Sequence, residues 1–504
     1  MPEATTLGAG PTVMPADDDL EIVILGAGMS GVCMAIELKR AGIDSFVVLE
    51  QSGGVGGTWW DNTYPGAQCD VPSHLYSFSF RLKPDWSRVF APSREIQRYV
   101  EDCVRHYRVG PHLRLHTEVA AAEYDAHRAR WRVTTKQGRV LRPRCFVVSF
   151  GPLNHPRLPA GIEAFAGEVM HTARWNHDYD FRGRRVALIG SAASAVQVVP
   201  TLAAEAASLT VFQRTPSWVV DRSDRPYREF EQRLFRIPIV GRAYRAWLYW
   251  RFEANYAAFK GSGLMHRVLR HMAESHLARQ VADPALRDTL RPEYPIGCKR
   301  ILISSDFYPA LGLANVELLA QAAAGFTATG VVAADGSVRE VDAIVCATGF
   351  ETVDPLAHLP VLGAGGRTLA DAWRDGPEAY HGIAVAGFPN LFMMLGPNTG
   401  TGHTSVLIPI EAQARYIVAC LRELDRRDAR SMDVRAEVLA RHNDELQRRL
   451  ARTVWASPKC TSWYKTRSGR ILATYPGFIT RYVLATRRPR YADYVFEPRT
   501  ATPS

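Results

Sequence analysis

The chain has 504 residues, of which 47% are hydrophobic and 22% are charged. These proportions are typical of a globular protein, and the length suits about two or three domains. No run of about 18 apolar residues occurs, so we expect no membrane-spanning helix. The formal net charge is +10, but the arginines are dispersed and no nucleic-acid recognition module stands out, so we expect no nucleic-acid partner.

The eight cysteines are scattered along the chain, without Cys-x-x-Cys pairs or metal-ligand spacing. This pattern favours a reducing, cytoplasmic setting and indicates neither a metal site nor a dithiol redox enzyme. Residues 1–19 lack the basic and apolar regions of a signal peptide. Their Gly, Pro, Thr and Asp content predicts a loose tail.

Residues 21–50 follow the pattern of a strand, a tight glycine turn, a helix and a second strand. The turn fits Gly-x-Gly-x-x-Gly, in which the first glycine permits the bend, the second lets the backbone approach a pyrophosphate, and the third allows close helix packing. Glu50 follows the third glycine by 19 residues, where a carboxylate should meet a ribose hydroxyl. We predict a dinucleotide site at Gly26, Gly28, Ser30, Gly31 and Glu50. Tight packing of strand against helix is the alternative.

A second glycine-rich loop at residues 53–57 runs into Thr58 and Trp59. Such a loop can lie over a flat ring system while offering backbone N–H donors, and Pro65-Gly66 marks a turn. Asp70 follows that turn, among aromatic and apolar residues. Judged from the residues alone, its carboxylate could equally cap local N–H groups in a solvated turn.

After a Pro- and Gly-rich linker at residues 151–159, a second nucleotide fold is indicated. Its turn keeps only the first glycine of the triplet, and the strand at 209–213 ends in a cation and a hydroxyl rather than an acid. A guanidinium there suits the 2′-phosphate of NADPH, although a surface arginine is the plainer interpretation. The predicted residues are Gly190, Ser191, Ala192, Ser194, Ala195, Arg214 and Thr215.

Residues 222–292 show no strand pattern and predict a helical subdomain, with helices at 230–259 and 265–282. The arginine- and aromatic-rich segment 235–259 could face lipid, line a substrate channel, or pack as a helix on its own domain. We favour packing on its own domain, and keep peripheral membrane contact as the less favoured alternative.

Elsewhere the residue spacing predicts helices at 93–106 and 408–426. It also predicts strands at 113–124, 131–135, 185–189 and 341–348, a segment at 145–150 that closes the first domain, and a buried strand that begins at 390 and leads into the glycine loop at 396–400.

The predicted fold is α/β, with two Rossmann-like dinucleotide-binding domains and a helical insertion in the second. The first domain covers residues 20–150 and the second covers 151–340, including the insertion at 222–292. Residues 341–504 return to the first domain and add a C-terminal segment that caps the substrate and cofactor region.

Two motifs carry a resemblance to a known family. Residues 56–70 fit [AG]-G-x-W-x4-[FY]-P-[GM]-x3-D, and residues 165–176 fit F-x-G-x3-H-x3-W-[PD] except at Asn176. The chain thus resembles the type I Baeyer–Villiger monooxygenases, within the class B flavoprotein monooxygenases. The resemblance implies FAD in the first domain, NADPH in the second and O₂ as co-substrate. It also implies oxidation of a small, hydrophobic ketone to an ester or lactone through a C4a-peroxyflavin.

The resemblance also implies roles for individual residues. Thr58, Trp59 and Tyr76 would lie at the flavin with Gly57, and Val119 at its adenine end. In the pair that follows the Pro-Gly loop at 295–297, Lys299 would reach the NADP phosphate and Arg300 would enter the active site. An arginine suits a site where negative charge develops on oxygen, because it does not deprotonate. Asp70, beside the isoalloxazine, would hold the guanidinium in place.

Three alternatives remain open at this stage. An N- or S-hydroxylating flavin monooxygenase is disfavoured by Trp175, because relatives of that kind carry Phe or Tyr there. Hydroxylation of long alkyl chains is suggested by the Gly-Pro-Asn-Thr-Gly loop at 396–400. A nucleotide-binding flavoprotein without oxygenase activity is suggested by the weakened triplet at Ala192. The sequence leaves open whether the protein is a monomer or a homodimer.

Overall fold

The structure is a computed structural model that describes residues 20–149, 151–261, 263–351, 359–466 and 468–499. The expected N-terminal tail and Phe150, at the end of the segment at 145–150, lie outside the described residues. Two parallel sheets flanked by helices organise the described chain, which confirms the predicted α/β class.

The described residues form thirteen α-helices and twenty-one strands. The helices are α1 (Met29–Arg40), α2 (Thr58–Asp61), α3 (Ser93–His106), α4 (Ala193–Glu205), α5 (Glu229–Phe235), α6 (Pro238–Ala254), α7 (Leu264–Gln280), α8 (Pro284–Thr289), α9 (Phe307–Leu311), α10 (Leu369–Ala372), α11 (Leu407–Arg426), α12 (Ala436–Leu450) and α13 (Ile479–Ala485). The strands are β1 (Ile22–Leu25), β2 (Phe46–Leu49), β3 (Leu113–Arg114), β4 (Val119–Asp125), β5 (Arg130–Thr135), β6 (Val140–Leu141), β7 (Cys145–Val148), β8 (Glu168–His171), β9 (Arg185–Ile189), β10 (Ser208–Phe212), β11 (Val219–Val220), β12 (Leu302–Ile303), β13 (Val316–Leu319), β14 (Ala323–Thr327), β15 (Gly330–Ala333), β16 (Val338–Glu340), β17 (Ala343–Cys346), β18 (Val361–Leu362), β19 (Leu391–Met393), β20 (Ala429–Val434) and β21 (Tyr494–Pro498).

The first sheet has the strand order β19-β7-β1-β2-β3, and every pair in it is parallel. β1 lies at its centre with Ile22 opposite both Phe46 and Cys145. Apolar residues fill β1 and β2 because strands inside a parallel sheet are covered on both faces. β19 comes from the last third of the chain, and α11 packs against α1, so this third joins the first sheet.

The second sheet has the order β13-β10-β9-β17-β8, again with parallel pairs only. β17 lies between β9 and β8, with Ala343 opposite both Val186 and Glu168. The domain boundary that we drew before residue 341 therefore falls one strand too early. The four consecutive apolar residues of β17 predict a strand, but they do not predict which sheet the strand joins.

The helical insertion differs in detail from the expectation. The expected helix at 230–259 is divided into α5, α6 and a 3₁₀ segment at Asn255–Lys260. Pro238 causes the first break, because it lacks an N–H and favours the first position of a new helix. Within the described residues, no helix is both long enough and apolar enough to cross a lipid bilayer.

The inner face of α6 packs on the first domain. The Arg245 guanidinium donates a hydrogen bond to the carbonyl of Ser77 at 3.1 Å. Tyr249 and Thr480 join their hydroxyls at 2.7 Å, and the Glu253 carboxylate accepts from the Thr480 amide at 2.8 Å. We expected this helix to pack on its own domain, but these contacts join its inner face to Ser77 of the first domain and to Thr480 of the C-terminal segment.

One cross-link was not expected from the sequence. Cys298 and Cys460 form a disulfide, with Cα atoms 5.5 Å apart and a separation of 162 positions in the chain. Their separation in sequence gave no signal of pairing, since only the fold brings the two segments together. The disulfide departs from the reducing setting that the scattered cysteines favoured, because such links are rare in the cytoplasm. The other six cysteines are free and buried, in line with small apolar packing residues.

We expect Gly31→Ala to destabilise the first domain. A Cβ at this position would lie only 1.8 Å from the carbonyl oxygen of Gly26, so α1 would have to move away from β1. Crowding of this kind lowers the free energy of unfolding by about 1–3 kcal/mol or more, which urea denaturation followed by circular dichroism can measure. Gly312→Ala is the matched control, because its nearest neighbour would be the Pro309 carbonyl oxygen at 3.5 Å. An equal loss in both variants would contradict this account.

We expect Cys460→Ala to lower the free energy of unfolding by about 2–4 kcal/mol, because a cross-link that closes a long loop restricts the unfolded chain. Adding Cys298→Ala should then cost little more, since the same link has already been lost. Alkylation of denatured, non-reduced protein should modify six of the eight cysteines. Modification of all eight would show that the disulfide does not form.

Candidate active site

The first glycine turn is braced by the acid that follows β2. Gly26 has φ 93°, a backbone conformation that favours glycine. The Glu50 carboxylate accepts hydrogen bonds from the amides of Ala27 at 2.7 Å and Ser52 at 2.8 Å. Glu50 is buried at the edge of the sheet, beside the turn that it was predicted to accompany. Its contact with a ribose hydroxyl stays a prediction, as do the roles of Ser30 and Gly31.

The second glycine loop lies against the first turn. Gly28 and Gly56 form a parallel bridge, and a Cβ on Gly57 would lie 3.0 Å from the Cα of Gly28. Gly57 also has φ 56°. Two backbones without side chains thus meet at the N-terminus of α1. A diphosphate fits such a place, because bare N–H groups and the positive end of a helix dipole are exposed to it.

Trp59 of the first motif and Tyr76, six residues after that motif, form a second part of this region. α2 begins at Thr58, whose side chain is exposed. The Trp59 Nε1–H donates to the hydroxyl of Tyr76 at 3.2 Å, and the two rings meet edge to face at 5.5 Å. Burial raises the pKa of Tyr76, so this hydroxyl stays protonated. The predicted flavin contacts of these residues are compatible with this arrangement and stay predictions.

Asp70 and Arg300 form a two-point ion pair. Arg300 donates from Nε to Oδ2 and from Nη2 to Oδ1 of Asp70, both at 2.6 Å. Partial burial opposes ionisation of Asp70, but the guanidinium outweighs it and holds the pKa of this carboxyl below its usual range. The Asp70 charge in turn raises the pKa of Arg300. The Arg300 side chain is still 39% exposed, so its charge can act on a neighbouring group.

The turn of the second nucleotide fold keeps the one glycine that it needs. Gly190 has φ 123°, and a Cβ there would lie 2.4 Å from the carbonyl oxygen of Ala347. The Ser191 hydroxyl donates to the Thr215 carbonyl at 2.9 Å, which joins the turn to the segment after β10. Ala192 precedes α4 and is exposed, and Ala195 is buried in that helix. Ser194 lies in the same first turn, and the NADPH roles of these residues stay predictions.

Two predicted phosphate ligands lie close to each other. Burial, and then the charge of Arg214, lower the pKa of Lys299. The Lys299 ammonium also lies 4.6 Å from the ring centre of Tyr294. Among the described residues, no carboxylate forms an ion pair with either cation. Two neighbouring cations without an anion are costly unless a ligand supplies the negative charge, so this place suits a phosphate group.

Contacts that the sequence did not predict join the two motifs across the domains. The Arg174 guanidinium pairs with Asp61 at 3.3 Å, and the Tyr64 hydroxyl donates to the Gln197 side chain at 2.8 Å. The Gln197 amide donates back to the Gln68 carbonyl at 2.9 Å. Asp61 lies in the first motif and Arg174 lies in the second. Their positions within the two motifs are the one sequence signal that could have suggested this pairing.

Val119 occupies the first position of β4, in the four-stranded sheet β18-β4-β5-β6. Its side chain is buried, and it pairs with Thr135. The expected single strand at 113–124 is divided here into β3 and β4, which belong to different sheets. A position at the adenine end of FAD stays a prediction for Val119.

Comparison with known proteins agrees with this geometry. Residues 23–232 match the family described as pyridine nucleotide-disulphide oxidoreductase. A protein named Baeyer-Villiger monooxygenase from Pseudomonas aeruginosa is 43% identical over 472 residues, which cover 93% of this chain and 90% of that protein.

Solved structures give the same result. The closed crystal structure of cyclohexanone monooxygenase is 27% identical with a TM-score of 0.84, and the crystal structure of the OTEMO complex with FAD and NADP is 25% identical with a TM-score of 0.85. Each alignment covers 95% of this chain and 99% of the other. Together with the 43% identity over most of the chain, these matches establish that the chain belongs to the family of Baeyer–Villiger monooxygenases.

Proposed function

We propose that the protein uses FAD and NADPH to insert one oxygen atom of O₂ beside the carbonyl of a small, hydrophobic ketone, giving an ester or lactone. The Asp70–Arg300 ion pair carries this proposal, because its permanent, partly exposed positive charge lies close enough to Tyr76, the hydrogen-bond partner of Trp59, to act on the pKa of that hydroxyl. The similarity to a structure titled cyclohexanone monooxygenase supports a ketone as substrate. The protein would work in the cytoplasm as a monomer or homodimer.

The residues present fit both cofactors. The bare backbone at Gly28 and Gly57 would hold the diphosphate of FAD, and Glu50 would hold its ribose. Lys299 and Arg214 would hold the 2′-phosphate of NADPH. When bound, NADPH would supply the hydride that reduces FAD, and the reduced flavin would activate O₂, the source of the inserted oxygen atom.

Arg300 would stabilise the negative charge that develops on oxygen during the transfer. A guanidinium does not deprotonate at working pH, so its charge stays available throughout. At a separation of ~4 Å and an effective dielectric constant of ~20, one such charge contributes on the order of 4 kcal/mol. This bounds its effect on the rate at roughly a thousandfold.

Asp70 would keep the guanidinium in position. Two parallel hydrogen bonds fix the plane of the Arg300 side chain, which a single contact would leave free to rotate. The remaining N–H donors of the guanidinium stay available for a substrate or product oxygen. A fixed donor aimed where charge develops needs no rearrangement during the reaction.

We expect the wild-type protein to convert cyclohexanone to its lactone with NADPH and O₂, and Arg300→Ala to retain FAD but lose this activity by up to roughly a thousandfold. Gas chromatography of the products measures lactone formation by the wild-type protein and by the variant. Flavin absorbance measures how much FAD each protein retains. Arg339→Ala is the control, because Arg339 is a surface residue paired with Glu317.

Near wild-type lactone formation by Arg300→Ala would refute the assigned role. Wild-type oxidation of a thioether or a long alkane, with no ketone oxidised, would favour an N- or S-hydroxylating or an alkyl-hydroxylating enzyme instead. NADPH consumption without any oxygenated product would indicate a flavoprotein without oxygenase activity.

We expect Arg214→Ala to raise KM for NADPH by roughly ten- to a hundredfold and to leave KM for NADH nearly unchanged, because a lost contact to a phosphate costs about 1.5–3 kcal/mol. Steady-state NADPH and NADH oxidation measures this difference. Arg184→Ala serves as a control at an exposed arginine that precedes β9. Equal effects on both nucleotides would show that Arg214 does not distinguish them.

A further inference from the structure

The helical insertion exposes an unusual share of the apolar surface. Of the eighteen large hydrophobic side chains that are exposed among the described residues, ten lie between residues 230 and 272. This concentration is not explained by the nucleotide sites or by the Asp70–Arg300 pair. Exposed apolar patches that are rimmed by polar groups mark interaction surfaces.

The outer face of α6 is the clearest part of this surface. Ile239, Ala243, Ala246 and Trp250 follow helical spacing and therefore share one face, and Trp247 lies beside them. Ile239 is 75% exposed, Trp247 is 53% exposed and Trp250 is 60% exposed. Because the opposite face of α6 is held by its contacts with the first domain, the outer face is presented on a fixed helix.

Basic residues accompany this face. Arg242 and Arg251 are exposed at its edges, and the Arg251 guanidinium lies 5.4 Å from the ring centre of Trp247. The only acid in α6 is Glu253, which is buried. The insertion at 222–292 has fourteen Lys and Arg against seven Asp and Glu, a net charge of +7 within a chain of +10.

The charge distinguishes between possible occupants. A second copy of this chain in a two-fold dimer would bring the same basic surface against itself, and like charges would then oppose association. An anionic lipid surface matches both the exposed apolar side chains and the basic residues of this face. Trp and Ile side chains enter the boundary between headgroups and acyl chains, and arginines contact the lipid phosphates.

We propose that the outer face of α6, formed by Ile239, Trp247, Trp250, Arg242 and Arg251, binds the surface of an anionic membrane. The axis of α6 is parallel to that surface, because an amphipathic helix buries its apolar face in the membrane interface when it lies flat. The inference does not depend on the oxygenation chemistry, because it rests on exposure and charge alone.

Co-sedimentation with vesicles tests this proposal. The full-length holoprotein is mixed with vesicles of phosphatidylcholine alone or of phosphatidylcholine with phosphatidylglycerol, at low and high salt. We expect binding to the vesicles that contain phosphatidylglycerol, weaker binding at high salt because the charges are screened, and a blue shift of tryptophan fluorescence.

Variants separate the apolar and the charged contributions. The double variants Trp247→Ala/Trp250→Ala and Arg242→Glu/Arg251→Glu should each lower vesicle binding by roughly tenfold or more. Leu313→Ala and Arg132→Glu are matched controls, because both side chains are exposed outside the insertion. Circular dichroism and melting temperature establish that each variant is folded.

Failure of the wild-type protein to bind anionic vesicles would overturn the proposal, and so would wild-type binding by both double variants. Sedimentation velocity adds a further outcome. A dimer that Trp247→Ala/Trp250→Ala converts to a monomer would assign this face to a second copy of the chain and reject the membrane.

Discussion

The ion pair between Asp70 and Arg300 is the contact on which the proposed site depends. The two residues are separated by 230 positions in the chain, one in a loop of the first domain and the other just after the helical insertion. The pair therefore exists only when the segment after the insertion packs against the first domain. Cys298, two residues before Arg300, is linked to Cys460, so the segment that carries the guanidinium is also held to the C-terminal part of the chain.

The two family motifs gain a structural meaning from the contacts between domains. Asp61 of the first motif pairs with Arg174 of the second, and Tyr64 bonds to Gln197 on α4. Gly66 fits the same interface, since a Cβ there would lie 2.4 Å from the Gln197 carbonyl oxygen. The motifs thus combine cofactor residues with residues that set how the two nucleotide folds face each other. Domain orientation and active-site geometry are coupled through these few contacts.

The inner and outer sides of the helical insertion differ in what they contact. Its inner side is bonded to Ser77 of the first domain through Arg245, and to Thr480 of the C-terminal segment through Glu253. Its outer side carries Trp247 and Trp250 and a large part of the positive charge of the chain. A helix that is fixed on one face can present apolar groups on the other without unfolding, because its backbone hydrogen bonds are already satisfied.

Local patterns were sufficient for much of this architecture. Hydrophobic periodicity and backbone geometry involve neighbouring residues only, so they can be read from the sequence. They gave the strands at 46–49 and 185–189, the helix at 93–106 and the glycine turn at Gly26. Local patterns did not give three further features: the sheet that receives β17, the break before Pro238, and the Cys298–Cys460 link. Of these, only the break has a local signal, which is the proline. Sequence alone determined which residue types can bind phosphates or carry a permanent charge; only tertiary packing decided that Asp70 meets Arg300, because contacts between distant segments depend on how whole domains pack.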